Sequence, residues 1–195
     1  MKTIDFINNY FDETAEIAKN INQQVVEKVL KVLVEVKSLG GRIFFLGVGG
    51  GAATASHAAN DFNKIAAIPT ICLSDNVGLL TALTNDEGWD SVFKRQLEMH
   101  KLNSNDCLFI YSVGGGTETT SRNLVLAIDY AKQIGAKIVG VVGKETGATA
   151  QRADACIIVP CPDDSGRTPH TEDFQLIMDH LLVNALAKIF EDEKK

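Results

Sequence analysis

Five short, almost continuously apolar runs, separated by helical stretches, restrict the fold of this chain more than any other feature. The runs are Ile43 to Leu46, Thr70 to Leu73, Cys107 to Tyr111, Ile138 to Val142 and Cys156 to Val159. Apolar residues without alternation are typical of strands that are buried on both faces. Because helices are predicted between them, at 52–62 and 122–134 for example, the strands form βαβ units. The sequence therefore predicts an α/β fold, a three-layer sandwich with a five-stranded parallel sheet flanked by helices.

Helices are also predicted at both ends of the chain. Apolar residues recur every three to four positions in the first 40 residues, which indicates two helices, the second capped by Asn22 and ended by Gly40-Gly41. A last helix is expected from about Thr171 to Phe190, after a loop at 161–168. Its predicted apolar stripe consists of Phe174, Ile177, Leu181 and Ala185. We expect one domain over 1–195, with N-terminal helices at 1–40 and the α/β core and C-terminal helix at 41–195.

Charge and composition argue against several classes of protein. The 19 Lys+Arg and 25 Asp+Glu residues give a net charge of −6 without a basic block, so nucleic-acid binding is not expected. No apolar run approaches the ~18–20 residues that span a bilayer, and no signal peptide follows Met1. The four cysteines form no C-x-x-C pair, and three of them lie inside apolar runs. They are interpreted as reduced structural thiols, and a cytoplasmic protein is expected.

Two predicted strands lead directly into glycine-rich turns, each followed by a helix. Ligands of open α/β sheets bind outside the carboxyl ends of the strands, where these turns lie. Glycine lets the backbone approach a ligand, and the N-terminus of the next helix attracts anions. The turns therefore predict a site for a small phosphorylated, polyhydroxylated molecule. The predicted binding backbone is that of Val48, Gly49, Gly50 and Gly51 in the first turn and of Ser112, Val113, Gly114, Gly115 and Gly116 in the second. The second turn also offers hydroxyl groups, those of Ser112, Thr117, Thr119, Thr120 and Ser121.

The first turn also fits a different ligand. Gly47-x-Gly49-x-x-Ala52 matches the dinucleotide fingerprint, and Asp75, 23 residues after Ala52, could hold a ribose. A dinucleotide fold needs only one such turn, and the second turn here adds hydroxyl groups. A nicotinamide-binding domain is therefore kept as an alternative.

A histidine and a carboxylate follow the first glycine turn at helical spacing. His57 and Asp61 are four residues apart, which places both side chains on one face of the predicted helix. Such a pair can bind one metal ion or share a proton. The next histidine of interest, His180, lies in the apolar last helix.

The order of these motifs resembles the sugar isomerase (SIS) domain and, within it, the phosphoheptose isomerases. The resemblance rests on GVGGGAATASH, LTNDEGWDSVF, SVGGG and HLLVNALAKI and covers almost the whole chain. It implies a flavodoxin-like or Rossmann-like fold and interconversion of D-sedoheptulose 7-phosphate and D-glycero-D-manno-heptose 7-phosphate, for lipopolysaccharide or capsule biosynthesis. It also implies a cytoplasmic homo-oligomer, dimer or tetramer, with active sites shared between subunits.

The resemblance assigns roles to four residues of the metal and acid/base set. His57, Asp61, Glu172 and His180 match metal-ligand positions, with Asp61 in place of a glutamate and Glu172 in place of a glutamine. Two imidazoles and two carboxylates suit a divalent metal, with Zn²⁺ expected. Asp61 is predicted to be the catalytic base and His180 its acid/base partner. The eight residues from Glu172 to His180 give ~12 Å of helical rise, so a shared metal requires Glu172 to lie at the helix start and lean inward.

The resemblance also adds substrate-binding residues. Among the hydroxyl groups of the second turn, it favours Ser121. The pair Asn85 and Asp86 is intact, and Glu172 is predicted to contact the substrate as well. The first turn lacks the asparagine and serine that the family usually has there, so backbone N–H groups must contribute more of the phosphate binding. A non-catalytic SIS module, binding a sugar phosphate or another protein, is the main alternative. The acid/base set of His57, Asp61 and His180 favours the enzyme.

Overall fold

The computed structural model describes residues 2–192 and contains the predicted parallel sheet. Its strands are β1 (Ile43–Gly47), β2 (Thr70–Cys72), β3 (Cys107–Ser112), β4 (Lys137–Val142) and β5 (Ala155–Ile158). Their order is β2-β1-β3-β4-β5, and every neighbouring pair is parallel. This is the flavodoxin-like order, which places the reversal of strand order next to β1 and β3. The predicted α/β class and strand number are confirmed.

Helices cover both faces of the sheet. They are α1 (Thr3–Asn20), α2 (Gln23–Ser38), α3 (Gly50–Lys64), α4 (Val77–Glu87), α5 (Val92–Met99), α6 (Arg122–Ile134), α7 (Ala148–Arg152) and α8 (Arg167–Asp192). One apolar core joins α2, α3 and α8 to one face, and a second joins α5 and α6 to the other. Side chains of β1 alternate between these cores: Phe45 lies in the first and Phe44 in the second. Among the described residues, no helix is long and apolar enough to cross a membrane.

The N-terminal helices form as expected. The Oδ1 atom of Asn22 accepts hydrogen bonds from the backbone N–H groups of Gln24 and Val25, which caps α2. Helix α2 ends at Ser38, just before Gly40. Ile17 is the fully buried residue of α1, so this helix docks on the core mainly through its second half.

The last helix differs from its prediction in two ways. It begins at Arg167 rather than about Thr171, so part of the expected loop at 161–168 is helical. Its buried stripe includes Phe174, Met178, Leu182, Val183 and Leu186. The expected stripe is therefore wrong at Ile177 and Leu181, which are each 43% exposed. Helix α8 has apolar residues on two faces, and packing against the sheet buries only one of them.

Candidate active site

The first glycine turn joins β1 to α3 at the carboxyl edge of the sheet. Gly49, the residue before α3, has a φ of +61°, a conformation that favours glycine. A Cβ on Gly51 would lie 2.4 Å from the carbonyl oxygen of Tyr111, so α3 begins in direct contact with β3. The turn thus presents the N-terminal N–H groups of α3 at the edge where ligands of such sheets bind.

The second glycine turn follows the neighbouring strand and lies beside the first. Gly47 and Tyr111 are paired in the β1–β3 register, which brings the two strand ends together. The backbone N–H of Gly115 donates to the Ser112 hydroxyl at 3.0 Å. The carbonyl of Gly115 accepts from both the N–H and the hydroxyl of Thr149, which ties this turn to α7. The prediction that both turns lie at one edge is confirmed.

Four titratable side chains meet between α3 and α8. They are His57, Asp61, Asp179 and His180, and their nearest ligand atoms lie within 4.8 Å of one another. The two histidine Nε2 atoms are 3.1 Å apart. Asp61 Oδ2 lies 3.2 Å from Nε2 of His57 and 3.8 Å from Nε2 of His180. The structure therefore brings together three of the predicted residues and adds Asp179.

Sequence reasoning missed Asp179. Its side chain is fully buried, with Oδ2 3.7 Å from Nε2 of His57. Burial raises the pKa of Asp179 to about 7, and the Asp61 charge adds to the rise, whereas His57 and the Tyr111 hydroxyl oppose it. An aspartate in the apolar run before His180 was a usable signal, because unpaired acids are rarely placed in a helix face that packs on a core.

Glu172 does not join this cluster, which corrects its predicted place beside His180. Its carboxyl carbon would lie 2.4 Å from a Cβ built on Gly50, so the carboxylate sits against the first glycine turn. Because α8 begins at Arg167, Glu172 lies more than a turn inside the helix and not at its start. The condition for sharing a metal with His180 is therefore not met.

The relation between α3 and α8 explains this separation. Glu172 faces Gly50 and Asp179 faces His57, so the contacting positions are seven residues apart in both helices. Seven residues correspond to about 10.5 Å of rise and almost two full turns. The two acids of α8 therefore contact different turns of α3: Glu172 lies at the glycine turn, and Asp179 lies at His57.

The remaining predicted polar residues lie elsewhere. Asn85 and Asp86 are exposed on α4, where the Asn85 amide donates to Asp86 at 2.7 Å. Ser121 precedes α6 with a φ of +52°, and its hydroxyl does not cap that helix. His170, which is not among the predicted site residues, is buried on α8, and its Nε2 lies 2.8 Å from a carboxylate oxygen of Glu13 on α1.

A cavity at the carboxyl ends of β4 and β5 lies apart from this cluster. Its volume is about 480 Å³, and it is lined by Gly143, Lys144, Glu145, Thr146, Ile158, Val159, Pro160, Cys161, Asp164 and Arg167. None of the four clustered residues lines it. His57 and His180 remain 43% and 52% exposed, so the cluster opens to the surface of this single chain.

The parallel sheet carries two glycine turns at its carboxyl edge, which is where open α/β sheets bind their ligands. A model of the SIS domain matches residues 9–143. The chain therefore belongs to the SIS domain family.

Individual relatives within this family indicate a more specific class of protein. The phosphoheptose isomerase of Syntrophotalea carbinolica is 30% identical over 190 residues, covering 93% of this chain and 92% of that protein. The lincomycin biosynthesis protein LmbN of Streptomyces lincolnensis is 31% identical over 192 residues, covering 94% of this chain and 70% of LmbN. The structure of a phosphoheptose isomerase from Francisella tularensis has a TM-score of 0.83 at 22% identity, covering 96% of this chain and 100% of that one. These relatives do not favour the nicotinamide-binding or non-catalytic alternatives.

Proposed function

We propose that this chain is an aldose–ketose isomerase that interconverts D-sedoheptulose 7-phosphate and D-glycero-D-manno-heptose 7-phosphate through an enediol. The observation that carries the proposal is the contact between His57, Asp61 and His180, on α8 and on the helix that follows the first glycine turn, in a chain similar to phosphoheptose isomerases. The product class suits heptose supply for lipopolysaccharide or capsule.

The isomerisation requires a proton to move between C1 and C2 of the sugar. A base removes the carbon-bound proton and an acid protonates the carbonyl oxygen. Asp61 is the proposed base, since its side chain is only 13% exposed and stays next to both imidazoles. His180 is the proposed acid/base partner, and its Nε2 is 3.8 Å from Asp61 Oδ2, close enough for the two to act on adjacent atoms.

A divalent metal, with Zn²⁺ the expected ion, fits the residues present. Tetrahedral Zn²⁺ with bonds of about 2.0–2.1 Å places its ligand atoms about 3.3 Å apart. The histidine–histidine and His57–Asp61 distances of 3.1 and 3.2 Å are close to that value. His57, Asp61 and His180 would hold the ion. When bound, it would polarise the sugar carbonyl and stabilise negative charge on the oxygen.

The two glycine turns are the proposed phosphate-binding element. An acidic chain has few basic side chains to offer, so backbone N–H groups at the start of α3 would bind the phosphate. The Ser112 and Ser121 hydroxyls and the Arg122 guanidinium lie along the second turn and are the proposed side-chain donors. Asn85, Asp86 and Glu172 are the proposed contacts to sugar hydroxyls. Fixing the phosphate would set the position of the reacting carbons.

The proposed assembly is a cytoplasmic homo-oligomer, dimer or tetramer, of a single-domain chain. Large apolar side chains of α1 are exposed, and such patches commonly mark subunit interfaces. They include Ile4, Phe6, Ile7 and Phe11. A neighbouring subunit would cover the open cluster and complete the site. The four free thiols suit the reducing cytoplasm.

A direct assay of sedoheptulose 7-phosphate turnover tests the proposed function. We expect Asp61→Asn and His180→Ala each to lower kcat by about 10²–10⁴, the usual contribution of acid–base groups. His100→Ala is the matched control for His180→Ala, since His100 directly follows α5 and lies outside the cluster. Substrate binding without turnover by the wild-type protein would indicate the non-catalytic module. Saturable NADH binding would instead support the dinucleotide alternative.

A further inference from the structure

Two buried aspartates of this chain, Asp106 and Asp179, differ in the hydrogen bonds that their carboxylates accept. Asp106 accepts hydrogen bonds from the backbone and guanidinium of Arg42 and from the backbone and amide of Asn103, at 2.7–3.2 Å. Asp179 is equally buried, yet neither of its oxygens accepts a hydrogen bond from any residue between 2 and 192. A buried carboxylate without donors is costly unless a cation compensates it. Asp179 is therefore the buried group that still needs a positive partner.

The groups around Asp179 identify that partner as a metal cation. Its oxygen lies 3.7 Å from Nε2 of His57, and Asp61 and His180 complete the cluster. Two carboxylates and two imidazoles close together form an N₂O₂ donor set that is typical of Zn²⁺ and related divalent ions. Among the described residues, the ion pairs of Asp61 and Asp179 are with His57 and His180, and none is with a lysine or arginine. A divalent ion would compensate both carboxylates at once.

We propose that Asp179, and not Glu172, is the second carboxylate ligand of a divalent metal held with His57, Asp61 and His180. The proposal rests on the proposed function for the identity of the site and departs from the ligand set expected by resemblance. Glu172 lies seven residues before Asp179, about 10.5 Å back towards the start of α8, and its carboxylate sits against Gly50 in the first glycine turn. Helix α8 would thus supply Glu172 to the sugar and Asp179 to the metal.

Tyr111 is the neighbour that can orient Asp179. Its hydroxyl is buried, has no hydrogen-bond partner in the described part of the chain, and interacts with the Asp179 carboxylate. Carboxylate ligands are commonly held by a hydrogen bond to their second oxygen. A small movement of Asp179 would let the Tyr111 hydroxyl donate to one oxygen while the other binds the metal.

The test is Co²⁺ and Zn²⁺ binding to the chelator-stripped protein, by calorimetry and by the visible absorption of Co²⁺. Asp179→Asn is compared with Glu172→Ala. The first removes the charge of the proposed ligand, and the second removes the carboxylate that the resemblance expects to bind. Alanine is used at 172 because a glutamine there would restore the ligand type that the resemblance implies. We expect Asp179→Asn to weaken Co²⁺ binding at least about tenfold and to change its absorption bands. Glu172→Ala should leave Co²⁺ affinity within about threefold and raise KM for the sugar phosphate.

The opposite pattern would overturn the proposal: weak Co²⁺ binding in Glu172→Ala with normal binding in Asp179→Asn. Circular dichroism establishes whether Asp179→Asn folds. If it does not fold, the Glu172→Ala variant decides alone, since a lost metal affinity there contradicts the assignment and a retained affinity supports it. Metal binding is measured without sugar, so a wild-type protein that binds Co²⁺ but lacks turnover would contradict only the proposed function.

Discussion

Tyr10 connects the N-terminal helix to the helix that carries the site. Its hydroxyl donates a 2.5 Å hydrogen bond to Asp173 on α8, and its ring lies 4.3 Å from the ring of His170. The hydrogen bond to Asp173 is the main cause that raises the pKa of Tyr10 from 10.0 to about 12, with burial and the charges of Asp173 and Glu13 contributing. The folded state therefore favours the protonated phenol.

This pKa predicts a loss of stability at alkaline pH. Because the folded pKa lies above the unfolded one, the contribution of Tyr10 is complete below pH 10 and is lost as pH rises towards 12. We expect the stability difference between wild type and Tyr10→Phe to shrink over this range. Urea unfolding at several pH values measures it. Asp173→Asn should move the Tyr10 absorbance titration at 295 nm towards pH 10, and a wild-type titration already near 10 would contradict the argument.

At the scale of elements, adjacent glycines at the start of α3 have different functions. A Cβ on Gly51 would meet the backbone carbonyl of Tyr111 at 2.4 Å, and neither β3 nor α3 can move away easily. A Cβ on Gly50 would meet the end of the flexible Glu172 side chain, which can rotate away. Gly50 leaves space for the Glu172 side chain, whereas Gly51 allows α3 to contact β3.

Alanine substitutions should separate these two functions. We expect Gly51→Ala to lower the free energy of unfolding by about 1–3 kcal/mol, as overpacking does. Gly50→Ala should change it by less than about 1 kcal/mol but raise KM for the sugar phosphate, since it displaces Glu172. Urea unfolding and steady-state kinetics measure both effects. Equal destabilisation by the two variants would show that Glu172 is held rigidly.

At the scale of the whole molecule, the apolar face of α1 bears on assembly. Phe11 is 69% exposed, and Ile7 and Ile4 lie one and two turns before it on the same side of the helix. We expect the wild-type chain to be a dimer or tetramer and Phe11→Gln combined with Ile7→Gln to shift it towards monomer. Light scattering during size-exclusion chromatography measures the mass.

Val77→Gln is the control for this experiment. Val77 is 66% exposed, comparable to Phe11, but begins α4 on the other side of the sheet. Its substitution should leave the assembly unchanged. A monomeric wild-type protein at micromolar concentration would contradict the proposed oligomer.

Local patterns made much of this molecule predictable. The apolar runs located all five strands to within about one residue, because strands buried on both faces have no polar positions. The spacing of His57 and Asp61 placed them together, because four residues complete one helical turn. The stripe of α8 was predicted wrongly at Ile177 and Leu181, since periodicity alone does not tell which of two apolar faces packs on the sheet.

The sequence by itself determined the fold class, the two glycine turns at one sheet edge and the histidine–aspartate pair on α3. Each of these depends on neighbours in the chain. Only the tertiary structure decided which acid of α8 meets that pair. Asp179 and Asp61 are separated by 118 positions (179 minus 61) and meet because α8 packs along α3 in one particular register. A shift of two turns would bring Glu172 to the histidines instead, and this register is fixed by side-chain packing across the helix pair rather than by any local pattern.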